Sequence, residues 1–203
     1  EEMLELASLG AQVMHSRSIE LGQKYQIPIY VGLSNSEVEG TLIREVRNMN
    51  MESKPVTGLA TSDDDVAITI ENMSNDINLV ASIFETIANK RISVDMISQT
   101  SPLNGKVNIS FTIPKEDIKE CLEIVKNYTG EEKITVDENI TKFSIVGLGM
   151  KNTSGVAARM FKLFSNNSIE VKMITTSEIR ITCAIKQEDR NRAINIVASE
   201  FNL

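Results

Sequence analysis

Two periods divide most of this chain. Over 65–72, Val66, Ile68 and Ile70 alternate with polar or small residues, the pattern of a half-buried strand. From Ile77 the spacing becomes helical, through Val80, Ile83, Phe84 and Ile87, with Asn75 and Asp76 placed as cap-type side chains. Ile92, Val94 and Met96 predict a second strand. Asn104-Gly105 predicts a hairpin turn, and 107–113 the returning strand, which Pro114 ends. Ile118, Cys121, Leu122 and Val125 then share a helix face, with Glu116-Asp117 at its electropositive start and Gly130 as its stop. Residues 133–137 read as a fourth strand. The order β-α-β-β-α-β is the ferredoxin-like split unit, with helices on one sheet face only.

The pattern recurs. Shifted by 77 residues, Ala81 and Phe84 fall on Ala158 and Phe161, and Ile92, Val94, Met96 and Ile97 on Ile169, Val171, Met173 and Ile174. Beyond the hairpin the shift becomes 72, bringing Val107, Ile109, Phe111 and Ile113 onto Ile179, Ile181, Cys183 and Ile185. The first copy's longer turn, 101–106, accounts for the difference, and surface hairpins absorb such changes readily. The second copy is expected as a strand over 141–148, a helix over 155–166, strands over 169–176 and 178–185, and a helix over 189–201. Its fourth strand is missing. The strand-like stretch 55–61 upstream can supply it, making the second unit discontinuous (55–62 plus 140–203) around the first (63–139).

Residues 1–45 lie outside the repeat. Met3, Leu4, Leu6, Ala7 and Leu9 suggest a helix stopped near Gly10. Ile19, Leu21 and Tyr25 suggest another, and 27–33 and 40–43 two short strands. These elements are too few for a core of their own. They read as the tail of a larger α/β domain, with 46–54 as the boundary and the chain as a piece of something longer. The fold class expected is α+β, two ferredoxin-like units packed side by side behind this remnant.

Charge and chemistry narrow the function. Lys plus Arg number 21 against 28 Asp plus Glu, a net charge of −7 that repels nucleic acid. No apolar run approaches the ~18 residues of a membrane span. Cys121 and Cys183 read as buried, reduced thiols, consistent with a cytoplasmic protein. His15 is the only histidine, so neither a Ser-His-Asp triad nor a multi-histidine metal site can form, and no catalytic set or metal site is expected. Asp63-Asp64-Asp65 reads as a solvated turn. Gly147-Leu148-Gly149 lacks the third glycine of a dinucleotide fingerprint and reads as a strand-to-helix loop whose N–H groups can approach a ligand.

In each copy the first strand runs into a polar loop at a helix start: 73–78 and 150–155. Free N–H groups there suit a carboxylate. Asp95, between apolar Val94 and Met96, faces away from them and can receive an ammonium. Together these receivers match a free amino acid; ordinary capping beside an exposed Asp is the other reading of the same residues.

Specific segments resemble one family. Residues 2–20, Ile27-Pro28-Ile29 and Gly40-Thr41-Leu42-Ile43 are similar to the end of the aspartokinase catalytic domain. Val94-Asp95-Met96-Ile97-Ser98-Gln99 and 174–181 resemble its paired regulatory ACT domains. The resemblance implies a parent kinase that phosphorylates the side-chain carboxylate of L-aspartate with ATP and Mg, opening lysine, threonine and methionine synthesis. It implies an ACT pair, often dimeric, that binds a feedback effector, lysine ahead of threonine, and acts on its own kinase domain. The family's N-terminal phosphate-binding segment is absent, so the piece alone is expected to be inactive and to need no cofactor. Carried over by position, the effector loop maps to Asn75, Asn78, Leu79 and Val80, with Asp95 and Gln99 on the second strand. Ser177 and Glu178 of the other copy close the site, and Ser168 and Ile169 line the equivalent second pocket. The family's Asp and Gly in the first loop are Asn75 and Asn78 here, and a lost carboxylate weakens cation binding. No ATP role is carried onto Gln12, where many members have Lys. The alternative is an effector-insensitive dimerisation module of the same kinase.

Overall fold

A computed structural model describes residues 1–11, 13–45, 54–130 and 133–203. Gln12, and all of the expected 46–54 boundary except Lys54, lie outside the described residues. The N-terminal part forms α1 (Glu2–Ser8), α2 (Ser16–Tyr25) and a two-stranded antiparallel pair, β1 (Ile29–Val31) with β2 (Thr41–Ile43). His15 caps α2, its ring Nδ1 accepting the Arg17 N–H at 3.1 Å, so the lone histidine has a structural task.

The first repeat unit is a four-stranded sheet of order β5-β6-β4-β7, built from β4 (Asp65–Ser74), β5 (Ile97–Gln99), β6 (Lys106–Pro114) and β7 (Ile134–Asp137). Helices α3 (Ile77–Asn89) and α4 (Ile118–Thr129) cover one face. The alternation in β4 puts Val66, Ile68 and Ile70 under them, against Ile83 and Ile87 of α3 and Cys121 and Val125 of α4. Phe84 meets Phe111 edge-on at 5.3 Å between ring centroids, an arrangement that adds to plain area burial.

The second sheet has the order β3-β8-β10-β9: β3 (Gly58–Ser62), β8 (Ile140–Val146), β9 (Val171–Thr176) and β10 (Arg180–Lys186). Its helices α5 (Val156–Asn166) and α6 (Arg190–Phe201) bury Met160, Phe164, Ala193 and Val197 on Phe143, Ile145 and Cys183. Phe143 and Phe164 also meet edge-on, at 5.6 Å, from positions other than those of the first pair. The edge strand β3 comes from before the first unit, pairing antiparallel with β8 from Gly58 opposite Val146 to Ser62 opposite Lys142. Val56, just ahead of it, is fully buried in the second core. Gly147 is what lets the chain reach that place: a Cβ there would stand 2.1 Å from the Pro55 carbonyl oxygen.

One predicted element is displaced: none of 92–96 is strand, and the strand forms just beyond it, at Ile97–Gln99. Upstream, the segment is still tied to β6, by Asp95 N–H to Thr112 O and Thr112 N–H to Met96 O. The Met96 N–H goes instead to the Thr112 hydroxyl at 3.1 Å, so a side chain takes the place of a ladder partner.

The helix-free faces of the two sheets meet. Ala67 and Met96 of the first unit pack with Ile140, Met173 and Ala184 of the second in a small apolar cluster. A register shift between Ala184 and Ile185 allows Met173 to reach this face, while Val171 stays on the helix side. Helix α1 occupies another part of the same face of the second sheet: Leu6 and Leu9 pack on Ala60 and Val146.

Candidate functional site

The helix start in the first unit is built by its own loop. Asp76 has an extended backbone and caps α3, its Oδ1 accepting the Asn78 N–H at 2.9 Å and the Asn78 amide at 3.1 Å. The Asn75 N–H donates to the Gly105 carbonyl oxygen across the long hairpin, and the Val80 N–H to Asp76 O. Among the described residues no partner takes the Ile77 and Leu79 amides, two of the groups a first helical turn leaves open. Ile77 covers nothing: it is 75 % exposed. Leu79 and Val80 turn inward onto the first core. Gln99 lies at the same end of the sheet, since Gln99 and Ser74 pair with Ile109 and Lys106 of the intervening β6. Asn75, Asn78, Leu79, Val80 and Gln99 thus share one sheet end. A cavity of about 390 Å³ opens beside it, lined among others by Asn72, Thr100, Leu103 and Asn108.

In the second unit α5 starts after Gly155 without a side-chain cap, and it is the loop ahead of that start that is held. The Leu148 N–H, first of a short 3₁₀ turn over Leu148–Lys151, donates to Glu2 Oε1 at 2.7 Å, and the Thr57 hydroxyl donates to the same oxygen at 2.7 Å. A carboxylate does sit at this loop, and it belongs to the chain's own α1. Glu178 is exposed and pairs with Lys151 at 3.0 Å, while the Ser177 hydroxyl accepts the Ile179 N–H in its turn. No hydrogen bond or ion pair among the described residues joins Ser177 or Glu178 to the 75–80 loop. Ser168 and Ile169 sit at the far end of the unit, before β9. Ser168 has a left-handed backbone, and Ile169 is buried in the second core rather than lining an opening.

A family model described as ACT domain matches residues 66–128 and 143–201. The chain belongs to the ACT domain family. Its relatives place it among aspartokinase regulatory regions. It is 36 % identical over its whole length to aspartokinase 2 of Bacillus subtilis and 38 % to the aspartokinase of Helicobacter pylori strain 26695. It spans about half the length of the curated relatives it matches, 50 % and 51 % of these two. The ligand-free regulatory subunit of aspartate kinase from Thermus thermophilus superposes with a TM-score of 0.68 at 32 % identity, covering 73 % of this chain and 99 % of that one.

Between the ACT domains lies a feature that strand patterning conceals. Asp95 is exposed but already paired. Lys142 of β8 crosses from the second ACT domain to place its Nζ 2.8 Å from Asp95 Oδ2 and 2.9 Å from Asp65 Oδ2. The lysine side chain is only 10 % exposed. Burial pulls its pKa down, but hydrogen bonds to Asp95 and Asp65 outweigh that and hold it above the ordinary lysine value. The expected solvated turn at 63–65 is correspondingly two-thirds engaged: Asp65 is buried, and Asp63 accepts from Arg190 at 2.8 Å and from the Thr141 hydroxyl. Only Asp64 is exposed, as that reading required. The negative charges gather here because the chain passes from β3 to β4 at this point and needs cations from both β8 and α6 to stay desolvated. Lys142, Asp65 and Glu2 are the residues that sequence reasoning missed. The available signal was a lysine inside a strand, Ile140–Val146, whose other positions read as interior. All seven positions of that strand are buried. The two cysteines are inert: burial raises Cys121 to about 11 and Cys183 to about 12.

Proposed function

We propose that this chain is the effector-sensing part of an aspartokinase, and that its working seat is the open tip of α3 in the first ACT domain. The parent enzyme, on this reading, is cytoplasmic and moves the γ-phosphoryl of ATP, with Mg, to the side-chain carboxylate of L-aspartate. Residues 1–54 are then the end of its kinase domain, to which the sensor reports. The two ACT domains are 63–139 and 55–62 plus 140–203, a division supported by the β3–β8 ladder. The chain by itself carries no phosphotransfer and needs no cofactor. It pairs with a second copy through the ACT domains, where Ile97 and Ile174 sit exposed on unpaired edge strands.

The observation that carries the sensor reading is the contrast between the tips. The first leaves the Ile77 and Leu79 amides open beside Asn75, Asn78, Leu79, Val80 and Gln99; in the second, the loop ahead of α5 is already engaged by Glu2 at the Leu148 N–H. The open amides suit the carboxylate of a free amino acid, and Asp76 Oδ2, not used in the cap, suits its ammonium. A net charge of −7 favours a cationic amino acid, so lysine is placed ahead of threonine. Ser177 and Glu178 would close over this seat from a partner copy. Asp95, held by Lys142, favours a second reading for the pair, an effector-insensitive dimerisation module.

Thermal unfolding separates the two. At a hundredfold excess over Kd, a native-state ligand adds about 2.7 kcal/mol. In a chain of this size that raises Tm by roughly 5–10 °C. Lysine is expected to give such a rise and threonine a smaller one. No rise with either leaves the dimerisation module as the function.

A further inference from the structure

We propose that the helix-free face of the second sheet is a transmission surface that links the first ACT domain to the N-terminal helix α1, with Lys142 as its latch. This surface exists without a ligand and does not depend on which amino acid binds. Along β8, every second side chain points to this face: Ile140, Lys142, Ser144 and Val146. Each meets something different. Ile140 joins Ala67 and Met96 of the first domain. Lys142 holds Asp65 and Asp95 of that same domain. Ser144 is buried and shares a 2.8 Å hydrogen bond with Thr182 of β10. Val146 packs with Leu9, the residue that caps the end of α1. The neighbouring strand repeats the gradient. Ala184 touches the first domain, Thr182 binds Ser144, and Arg180 donates to Glu5 of α1 at 3.2 Å.

One row of about 20 Å, six residues of strand at ~3.3 Å each, therefore carries the first ACT domain at one end and α1 at the other. Both ride on the same rigid strand pair, and both are fixed to it by ions as well as by apolar contact. The first domain can move only about its two chain crossings, 63–64 and 138–139, which lie at the Lys142 end. Among the described residues Lys172 reaches Asp137 and Arg190 reaches Asp63 across this boundary, and Lys142 alone holds two carboxylates of the first domain, Asp65 and Asp95. Freeing it lets the first domain tilt about the crossings and changes what the far end of the face presents to α1.

A contiguous row is not by itself coupling, so the test reads one end while changing the other. Hydrogen exchange is followed on the full 203-residue chain for the wild type, Lys142→Met and the milder Asp95→Asn. In Lys142→Met the α1 amides are expected to exchange about tenfold faster, while those of α4, remote on the first domain's helix layer, keep their rates. Asp95→Asn, which leaves Asp65 on Lys142, is expected to shift α1 in the same direction by less. In parallel, spin labels on Glu85→Cys and Lys162→Cys report the distance between the domains. The buried native thiols escape labelling. The distance distribution is expected to broaden in both variants. Unchanged α1 exchange alongside a broadened distance distribution overturns the transmission claim. An unchanged distance distribution overturns the latch. Should Lys142→Met fail to fold, Asp95→Asn alone decides both points by the same criteria.

Discussion

The first ACT domain caps its leading helix with a residue of its own loop, whereas the second leaves α5 without a side-chain cap and has the turn ahead of it held from α1, outside the repeat. The second also borrows its edge strand from ahead of the first domain. Two units with the same spatial order of strands have thus been put to different uses. What differs is what lies around the tip. The first has a long hairpin, open amides and an exposed Ile77; the second has a buried approach by Pro55 and Val56 and a resident carboxylate. A repeat conserves the interior that makes it fold, and the surroundings decide which copy stays available to a partner.

The cores give the largest expected effects and test whether the units really are equivalent. Phe111→Ala and Phe143→Ala each empty a fully buried ring site, and each is expected to cost about 3–5 kcal/mol in urea denaturation. Markedly unequal losses would mean that one unit leans on the other for stability. Lys142→Met, which strands Asp65 and Asp95 without their cation, is expected to cost about 3 kcal/mol. Gly147→Ala tests the borrowed strand alone. Its methyl group must displace the Pro55–Val56 backbone, and a loss of about 2 kcal/mol is expected, with Val56 leaving the second core. The caps come next. Asp76→Ala and Glu2→Ala should each lose about 1 kcal/mol, and only the former should abolish a lysine-induced rise in Tm. The smallest effect is on pH dependence. Because the folded Lys142 pKa is raised, its contribution is fully present below the unfolded value of about 10.4 and fades as pH climbs through the higher folded value. Stability curves of wild type and Lys142→Met should therefore run parallel through neutral pH and converge in the alkaline range.

Much of this was legible in the chain. Strand and helix periods placed the repeated elements to within a few residues because each unit buries one sheet face under two helices, and that demand writes itself as alternation followed by helical spacing. The strand at 92–96 failed because the Thr112 hydroxyl replaces a ladder bond, which periodicity does not record. The ends of the candidate site were harder. Asp95 looks like any outward-facing carboxylate in an alternating strand, and nothing local says that the lysine 47 residues later will meet it. Glu2 and Leu148 are 146 residues apart, and their contact exists only because α1 lies on the second sheet. Charges that pair across two folded units leave no period behind.

An amino acid is expected at the open start of α3, and not at the Leu148 N–H of the second domain, which Glu2 already holds. Amide chemical shifts of the ¹⁵N-labelled chain, titrated with lysine, test it at single residues. The account expects saturable shifts at Ile77 and Leu79 with Leu148 unmoved; shifts centred on Leu148, or none at any of the three at millimolar lysine, would contradict it.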